Sequence, residues 1–338
     1  MVAEPSAAIL ATVKGLVVDQ AAGKVIDALR QRDVRPILLK GASFARWLYG
    51  DGGARPYSDV DLLVAPDQQA TASEVLAGLG YVLRCAEAAH GEQADHATNW
   101  DRPGSPTIDL HNTMSARLGV GPLRCWEVVS AQARPAVVGG IPAEVLAPEA
   151  LALHVVLHAE VGKTKTLDDL GRALTRLSPS DWQRTMELAE ALDALPAFGI
   201  GLRLHAEGEA MAAALGVPDD PTVELMLQAS STATLARPFE EVARARGIRG
   251  KASLVIRELI PTPSFVRLWF PPARRSRLGL VAGYLYRLVW VPWHAPRGLQ
   301  SWRRARRAVA AGRSVTATPP GGHPPSPTTT TQQARRGS

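Results

Sequence analysis

The chain has 338 residues, 46% of them hydrophobic, which is enough for substantial buried cores and for more than one domain. Cys85 and Cys125 are its only cysteines, so the sequence excludes a disulfide-stapled fold, and no Cys/His spacing indicates a zinc site. The net charge of +6 is local, because residues 264–313 hold eleven Arg and no Asp, Glu or Lys. The rest of the chain carries 27 basic and 32 acidic residues, so the body of the protein is expected to be acidic.

The N-terminal segment lacks the order of basic and then apolar residues that is typical of a signal peptide. Glu4 comes early, and Lys14 and Asp19 interrupt the apolar positions. No run of about eighteen uncharged apolar residues occurs, so no membrane-spanning helix is predicted. We therefore predict a cytoplasmic location, with peripheral contact at the inner membrane face left open.

The first part of the chain alternates helices with short strands. Residues 7–32 carry apolar side chains at helical spacing, and "ILLKG" then predicts a strand from Ile37. A glycine turn, a short helix (residues 44–49) and a glycine-rich loop follow, and "DVDLLV" (residues 59–64) predicts the next strand. Further on, "TIDLH" alternates, so that Thr107, Asp109 and His111 share one side of a strand.

The pattern changes to amphipathic helices after Pro148. We predict a core with metal-binding carboxylates at residues 1–146 and a helical domain at 147–235. A basic helical segment rich in Trp and Arg is predicted at 236–313, and a disordered Pro/Thr/Gly/Ser-rich tail at 314–338.

Two carboxylates inside an apolar strand need compensation, because an uncompensated buried charge is unfavourable by several kcal/mol. Asp59 and Asp61 are two residues apart, so they project to one face about 7 Å apart while Val60, Leu62 and Val64 face the core. Mg²⁺ binds hard oxygen ligands, and a pair of such ions stabilises the attacking and leaving oxygens of an in-line phosphoryl transfer. Asp109, on another strand, is the third predicted ligand. Upstream, Gly41 would let the backbone approach a phosphate.

These parts resemble the DNA polymerase β-type nucleotidyltransferase superfamily, whose pattern is a strand, a Gly-Ser or Gly-Gly turn, a helix, an Asp-apolar-Asp strand and a later Asp-bearing strand. Within it, "LLKG", "RPYSDVDLLV", "IDLH", "LHVVLHA" and "LDDLGRAL" are similar to a large bacterial group of uncharacterised nucleotidyltransferases found beside polysaccharide and peptide natural-product genes. The resemblance covers roughly residues 7–218. It implies an α+β fold, in which a polymerase β-type core with a small mixed sheet and helices precedes an α-helical domain.

The resemblance and the residues together predict a site. Asp59, Asp61 and Asp109 are the catalytic and metal-binding residues, with Mg²⁺ or Mn²⁺ as cofactor and a nucleoside triphosphate, ATP first, as substrate. The predicted nucleotide-binding residues are Lys40, Gly41, Ser43, Arg55 and His111. For three of these a structural alternative remains open: an exposed strand-end charge for Lys40, a solvated loop for Arg55 and a structural role for His111.

Other polar residues are assigned structural roles first. His154 and His158 lie one helical turn apart but lack a third ligand, so packing or a hydrogen bond in the core is favoured over a metal. Thr166 and Asp169 suit a helix cap, and the family resemblance implies an acceptor-site role for Asp169 as the alternative. The polar run "HGEQADH", residues 90–96, is not assigned to a site.

The basic segment has three interpretations. It joins four of the eight Trp to the eleven Arg, a composition that suits an anionic membrane surface. A nucleic-acid backbone is a less favoured partner, and a helix packed on the acidic body is the structural alternative.

The predicted function is transfer of a nucleoside monophosphate group from a nucleoside triphosphate to an acceptor hydroxyl, with release of pyrophosphate, in polysaccharide or natural-product biosynthesis. The alternatives are a non-catalytic or antitoxin-like partner with the same fold, and a peripheral-membrane assembly factor.

Overall fold

A computed structural model describes residues 7–50, 55–84, 96–230 and 235–312. The predicted tail, residues 314–338, and residues 90–95 of the polar run lie outside the described residues. Within the described ranges the strands form one mixed seven-stranded sheet in the order β3-β4-β5-β2-β1-β7-β6. Their bounds are β1 Ile37–Leu38, β2 Asp59–Leu63, β3 Val82–Leu83, β4 Ala97–Asp101, β5 Thr107–His111, β6 Ala133–Val138 and β7 Ile141–Leu146.

Helices cover the sheet and continue beyond it. Those within the sheet region are α1 Ala7–Arg30, α2 Ala42–Tyr49, α3 Gln69–Gly78 and α4 Pro122–Ser130. The next six are α5 Pro148–His158, α6 Thr164–Arg176, α7 Pro179–Ala191, α8 Leu195–Leu202, α9 Ala206–Ala214 and α10 Val223–Ala229. The last five are α11 Ala236–Arg244, α12 Gly247–Leu259, α13 Pro263–Trp269, α14 Pro272–Arg275 and α15 Arg277–Ala310. The predicted α+β class, a mixed sheet followed by helices, is confirmed.

The two faces of the sheet belong to different cores, as the alternation of side chains requires. Val60 and Leu62 of β2 pack in a core with α1 and α3, whereas Leu63 packs in the core that contains α5 and the helices after it. Asp61 is two residues before Leu63, so it lies on the face toward the helical region. The proposed division near residue 146 therefore falls within a shared core, and it stays a proposal.

The C-terminal helices pack back onto the body of the protein. Helix α15 is 34 residues long and contacts α10, α11, α13 and α14. Ala305 on α15 joins a small core with Leu227 of α10, and the Trp302 indole donates a hydrogen bond to Glu240 at 2.7 Å. Among the helices described, none is both long and apolar enough to cross a bilayer.

One local prediction was wrong. Thr166 and Asp169 do not form a helix cap, because α6 already begins at Thr164 and both residues are buried within it.

Candidate active site

The site is built where β2 and β5 run parallel in the middle of the sheet. Asp61 pairs with Asp109 in the β2–β5 register, and Leu63 pairs with His111. Direct register partners on neighbouring strands have side chains on the same face. Potential ligand atoms of Asp61, Asp109 and His111 lie within 4.8 Å of one another. This grouping fits the oxygen-rich donor set that Mg²⁺ or Mn²⁺ requires.

Asp59 lies at the start of β2 and is not in that compact group. It pairs with Thr107 in the same register, one alternate position before Asp61. The pleat places it about 7 Å along the strand from Asp61, on the same face. The structure therefore brings Asp61, Asp109 and His111 together and leaves Asp59 beside them, so the metal-binding role of Asp59 stays a prediction.

Two basic groups hold the buried Asp61 carboxylate. Lys40 Nζ lies 2.7 Å from Asp61 Oδ1, and His111 Nε2 lies 3.1 Å from the same oxygen. Burial alone would raise the pKa of Asp61, but the Lys40 charge and the His111 hydrogen bond outweigh it and hold that pKa far below its usual range. Burial likewise opposes the charge on Lys40, yet the carboxylates of Asp61, Asp59 and Asp109 raise its pKa. Lys40 is thus a buried, charged partner of Asp61.

Asp109 has the opposite electrostatic environment. Burial and the neighbouring charge of Asp61 raise its pKa, and a hydrogen bond from the Asn99 amide partly offsets that rise. The surroundings therefore lower the pKa of Asp61 and raise the pKa of Asp109, although the two carboxylates are neighbours in the sheet. Such separation is common at functional sites, where one group stays ionised and the other can exchange a proton.

The turn between β1 and α2 follows Lys40 directly. Gly41 has a positive φ of 61°, and a Cβ there would lie 3.3 Å from the Tyr57 ring and 3.6 Å from the Asp59 carbonyl oxygen. A side chain would therefore be strained there. The Ser43 hydroxyl is buried and donates to the Leu38 carbonyl at 3.3 Å. Ser43 thus fastens the turn to β1, and its predicted phosphate contact stays untested.

Arg55 is buried and forms an ion pair with Asp169. It is therefore not the solvated loop arginine that was the structural alternative. Its guanidinium donates to both Asp169 oxygens at 2.7–3.0 Å. The Tyr49 hydroxyl donates to Asp169 as well, at 2.9 Å. Burial and the Asp169 charge raise the pKa of Tyr49 to about 12. Sequence reasoning missed this pair, because its partners are 114 residues apart and nothing local in either segment identifies the other.

A cleft of about 850 Å³ opens from this site toward the C-terminal helices. Its lining includes Lys40, Asp109, His111 and His154. His154 is 2% exposed, and burial followed by the charge of Lys40 lowers its pKa well below the usual value. The cleft also contains His96, whose ring centroid lies 5.5 Å from that of His111. His96 is a site residue that sequence reasoning left unassigned.

Comparisons with known proteins identify the family. A family model described as "Uncharacterised nucleotidyltransferase" matches residues 6–207, more than half of the chain. No curated protein matches the sequence.

Solved structures show partial similarity. The solution structure of the antibiotic-resistance factor ANT(2'')-Ia has 17% identity and a TM-score of 0.38, covering 54% of this chain and 92% of that one. The crystal structure of ANT(2")-Ia with adenylyl-2"-tobramycin has 18% identity and a TM-score of 0.38, covering 52% and 96%. An antigenic nucleotidyltransferase-like protein from Paracoccidioides brasiliensis has 17% identity and a TM-score of 0.30, covering 54% and 92%.

Proposed function

The chain belongs to the uncharacterised nucleotidyltransferase family, and on that premise we propose that it moves a nucleoside monophosphate group from a nucleoside triphosphate to an acceptor hydroxyl. The observation that carries this proposal is the pairing of Asp61 with Asp109 across parallel strands, with Lys40 on the Asp61 carboxylate. ATP with Mg²⁺ is the first combination to test, and Mn²⁺ is the second.

The reaction is a displacement at the α-phosphorus. The acceptor oxygen forms a bond to that phosphorus, the bond from it to the bridging oxygen of the β-phosphate breaks, and pyrophosphate leaves. The hydroxyl proton must go to a base, and Asp109 is assigned this role because it is a carboxylate beside Asp61 in the sheet. A divalent ion, when bound by Asp61, Asp109 and the neighbouring Asp59, supplies charge neutralisation for the transferring phosphoryl group.

Lys40 and His111 have positioning roles in this proposal. Both contact Asp61 Oδ1, so they fix the orientation of that carboxylate and compensate its charge. If Asp61 held a divalent ion, the flexible Lys40 side chain, with its compact positive charge, would be able to pair with a phosphate oxygen of the nucleotide instead. Charge neutralisation and positioning would supply most of the rate.

Pyrophosphate release tests the proposal. Full-length protein with ATP, Mg²⁺ and an acceptor mixture should release pyrophosphate, and Asp61→Asn should not. Release of inorganic phosphate instead would indicate attack at the γ-phosphorus, and therefore a kinase or hydrolase.

The second candidate is a non-catalytic partner protein, and the Lys40–Asp61 ion pair favours it. Together with His111, Lys40 satisfies the buried carboxylate without a metal ion, which is what a non-catalytic fold needs. Nucleotide binding that is independent of divalent metal, with no pyrophosphate release, would support this candidate.

Contact with an anionic membrane is a separate proposal, supported by the outer face of α15. Five of its exposed apolar side chains recur every three or four residues, the spacing of one helix face. They are Leu278, Val281, Leu285, Val289 and Trp293, between 55% and 82% exposed. Exposed arginines precede and follow this stripe along the helix, at Arg277 and Arg297. Residues 264–313 contain no acidic residue. An apolar stripe with flanking arginines is typical of a helix that lies in a membrane interface.

A further inference from the structure

Part of the lining of the active-site cleft is aromatic. Five of the lining residues come from α13, α15 and the residue after α13, and we call them the aromatic wall: Phe265, Trp269, Phe270, Tyr286 and Trp290. These five residues follow the segment that the family model matches, residues 6–207. Asp109 and His111 line the same cleft. A molecule that fills the cleft would therefore contact both the catalytic carboxylate and the aromatic wall.

The wall is held in place by close packing. The rings of Phe270 and Tyr286 stack with centroids 5.5 Å apart and an interplanar angle of 22°. A Cβ at Gly283 would lie 2.5 Å from Val266 Cγ1, so only glycine allows α15 to pass α13 this closely. Trp269, in contrast, is 69% exposed although it lines the cleft. Its ring surface is available to a ligand.

Charges on the wall side of the cleft largely compensate one another. Arg257 pairs with Glu241 at 2.9 Å, and Arg287 pairs with Glu258 at 2.5 Å. All four of these residues line the cleft. Arg237 lines the cleft as well. Beside these charged groups, α13 and α15 offer aromatic faces to a ligand.

The remaining lining contains buried polar atoms without a partner. Of the five such side-chain atoms found among the described residues, three belong to residues that line the cleft: His111 Nδ1, His154 Nδ1 and Gln228 Oε1. Gln228 is 6% exposed, and its amide oxygen can only accept a hydrogen bond. A buried acceptor left unsatisfied is unfavourable, so a ligand hydroxyl that reaches this oxygen would be stabilised by it.

We propose that the cleft binds the acceptor as a hydroxylated ring compound, with an apolar ring face on the aromatic wall and hydroxyl groups toward Gln228 and Asp109. This inference rests on the proposed function, since it identifies the ring compound as the acceptor of the nucleotidyl group. Carbohydrate rings and hydroxylated aromatic rings share this chemistry, because both combine a flat apolar face with hydroxyl donors.

Saturation-transfer difference NMR on the full-length protein tests the proposal, because it detects weak ligands directly. The sample contains Mg²⁺ and α,β-methylene-ATP, which cannot release pyrophosphate. One arm adds methyl β-D-glucoside and methyl β-D-galactoside, and the other adds 4-hydroxybenzyl alcohol. Saturation of ring protons in either arm is expected, and the arm that responds identifies the source. If the adenine protons are saturated and neither arm responds, the inference is overturned while the proposed function stands. Unsaturated adenine protons would instead count against the proposed function.

Two tryptophans of similar exposure provide a matched comparison. Trp269, which lines the cleft, is 69% exposed, and Trp293, which is not among the lining residues, is 74% exposed. Trp269→Ala should weaken ring binding about three- to tenfold, the value of one lost aromatic contact, and Trp293→Ala should not change it. Gln228→Met, of similar shape, should weaken binding of the ring but leave the adenine signal unchanged. Equal effects of the two tryptophan variants, or none from either, would contradict the proposal.

Discussion

Lys40 Nζ lies 2.7 Å from Asp61 Oδ1, so the carboxylate of the proposed metal site already forms an ion pair with a lysine ammonium group. Lys40→Met should leave that buried carboxylate without its main partner and lower the free energy of unfolding by about 1–3 kcal/mol in the absence of metal. Added Mn²⁺ should restore much of this loss, because a divalent ion can replace the ammonium group. Thermal unfolding with and without Mn²⁺ measures both effects.

A surface ion pair serves as the control for that experiment. Arg35 pairs with Glu144 at 2.7 Å, and the Arg35 side chain is 47% exposed. Arg35→Met should change stability by less than about 1 kcal/mol, with or without metal. If Mn²⁺ fails to restore the stability of Lys40→Met, Asp61 is not the carboxylate at which metal and lysine compete.

Asp109→Asn should slow pyrophosphate release by about 100-fold or more, the size of a lost general-base contribution, with nucleotide affinity largely kept. The loss should be in kcat, because proton transfer acts in the transition state. Asp101→Asn is the matched control, since Asp101 lies on β4 with its side chain 44% exposed and paired with Arg84. A variant at Asp109 that keeps full kcat would exclude it as the base.

The Arg55–Asp169 pair should contribute strongly to stability. Removing one partner of a buried ion pair typically lowers stability by about 3–5 kcal/mol. Asp169→Asn should therefore destabilise the protein markedly in denaturant titrations, whereas Asp168→Asn, at the exposed neighbouring position, should have little effect. Similar losses in the two variants would show that the pair is not a principal link between α6 and the loop before β2.

Acid should destabilise the fold through His154. Burial lowers its pKa, so the folded state keeps the imidazole neutral while the unfolded chain takes up a proton below about pH 6.5. The unfolded state then binds more protons, and stability should fall as pH decreases from about 6.5, by up to about 1.4 kcal/mol per pH unit. His158, whose pKa is lowered to about 3, mainly by burial, should add to the effect. Unfolding free energies at pH 7.5, 6.0 and 5.0 measure the slope.

The double variant His154→Gln/His158→Gln distinguishes the contribution of the two histidines to acid sensitivity from that of the carboxylates. Asp61 has a lowered pKa, so its contribution is lost only as pH falls below the usual value of about 3.8. Between pH 6.5 and 5 the double variant should show a flatter dependence than the wild type. An unchanged slope would assign the acid sensitivity to other groups.

The outer face of α15 should bind acidic vesicles. Leu285→Gln/Val289→Gln should reduce co-sedimentation with vesicles containing phosphatidylserine, because two exposed apolar side chains are lost. Added salt should weaken wild-type binding without abolishing it, because salt does not screen the apolar contribution. Leu123→Gln/Val137→Gln, at exposed apolar positions elsewhere, is the matched control. Equal binding by both double variants would show that this helix face is not the membrane contact.

Sequence patterns predicted the parts of the fold that depend on local periodicity. The alternation in "DVDLLV" and "TIDLH" correctly predicted two strands, and residues 60 and 62 face a core as expected. That Asp61 and Asp109 are register partners could not be derived, because strand pairing depends on packing between distant segments.

Long-range packing also explains what the sequence did not reveal. The partner of Arg55 is 114 residues away, and the aromatic wall reaches the cleft only because α13 and α15 fold back over the body of the protein. The composition of the basic segment indicated an anionic partner, but no local pattern predicted that Trp269 lines the same cleft as Asp109 and His111.

Calorimetric titration of ATP, with and without Mg²⁺, tests the central claim most directly. Wild-type protein and the control Asp67→Asn, at an exposed position, should bind ATP with a strong dependence on Mg²⁺. Asp61→Asn should lose that dependence while it remains folded by circular dichroism. Equal Mg²⁺-dependent affinity in Asp61→Asn and the wild type would contradict the assignment of this carboxylate to a metal-dependent nucleotidyltransferase site.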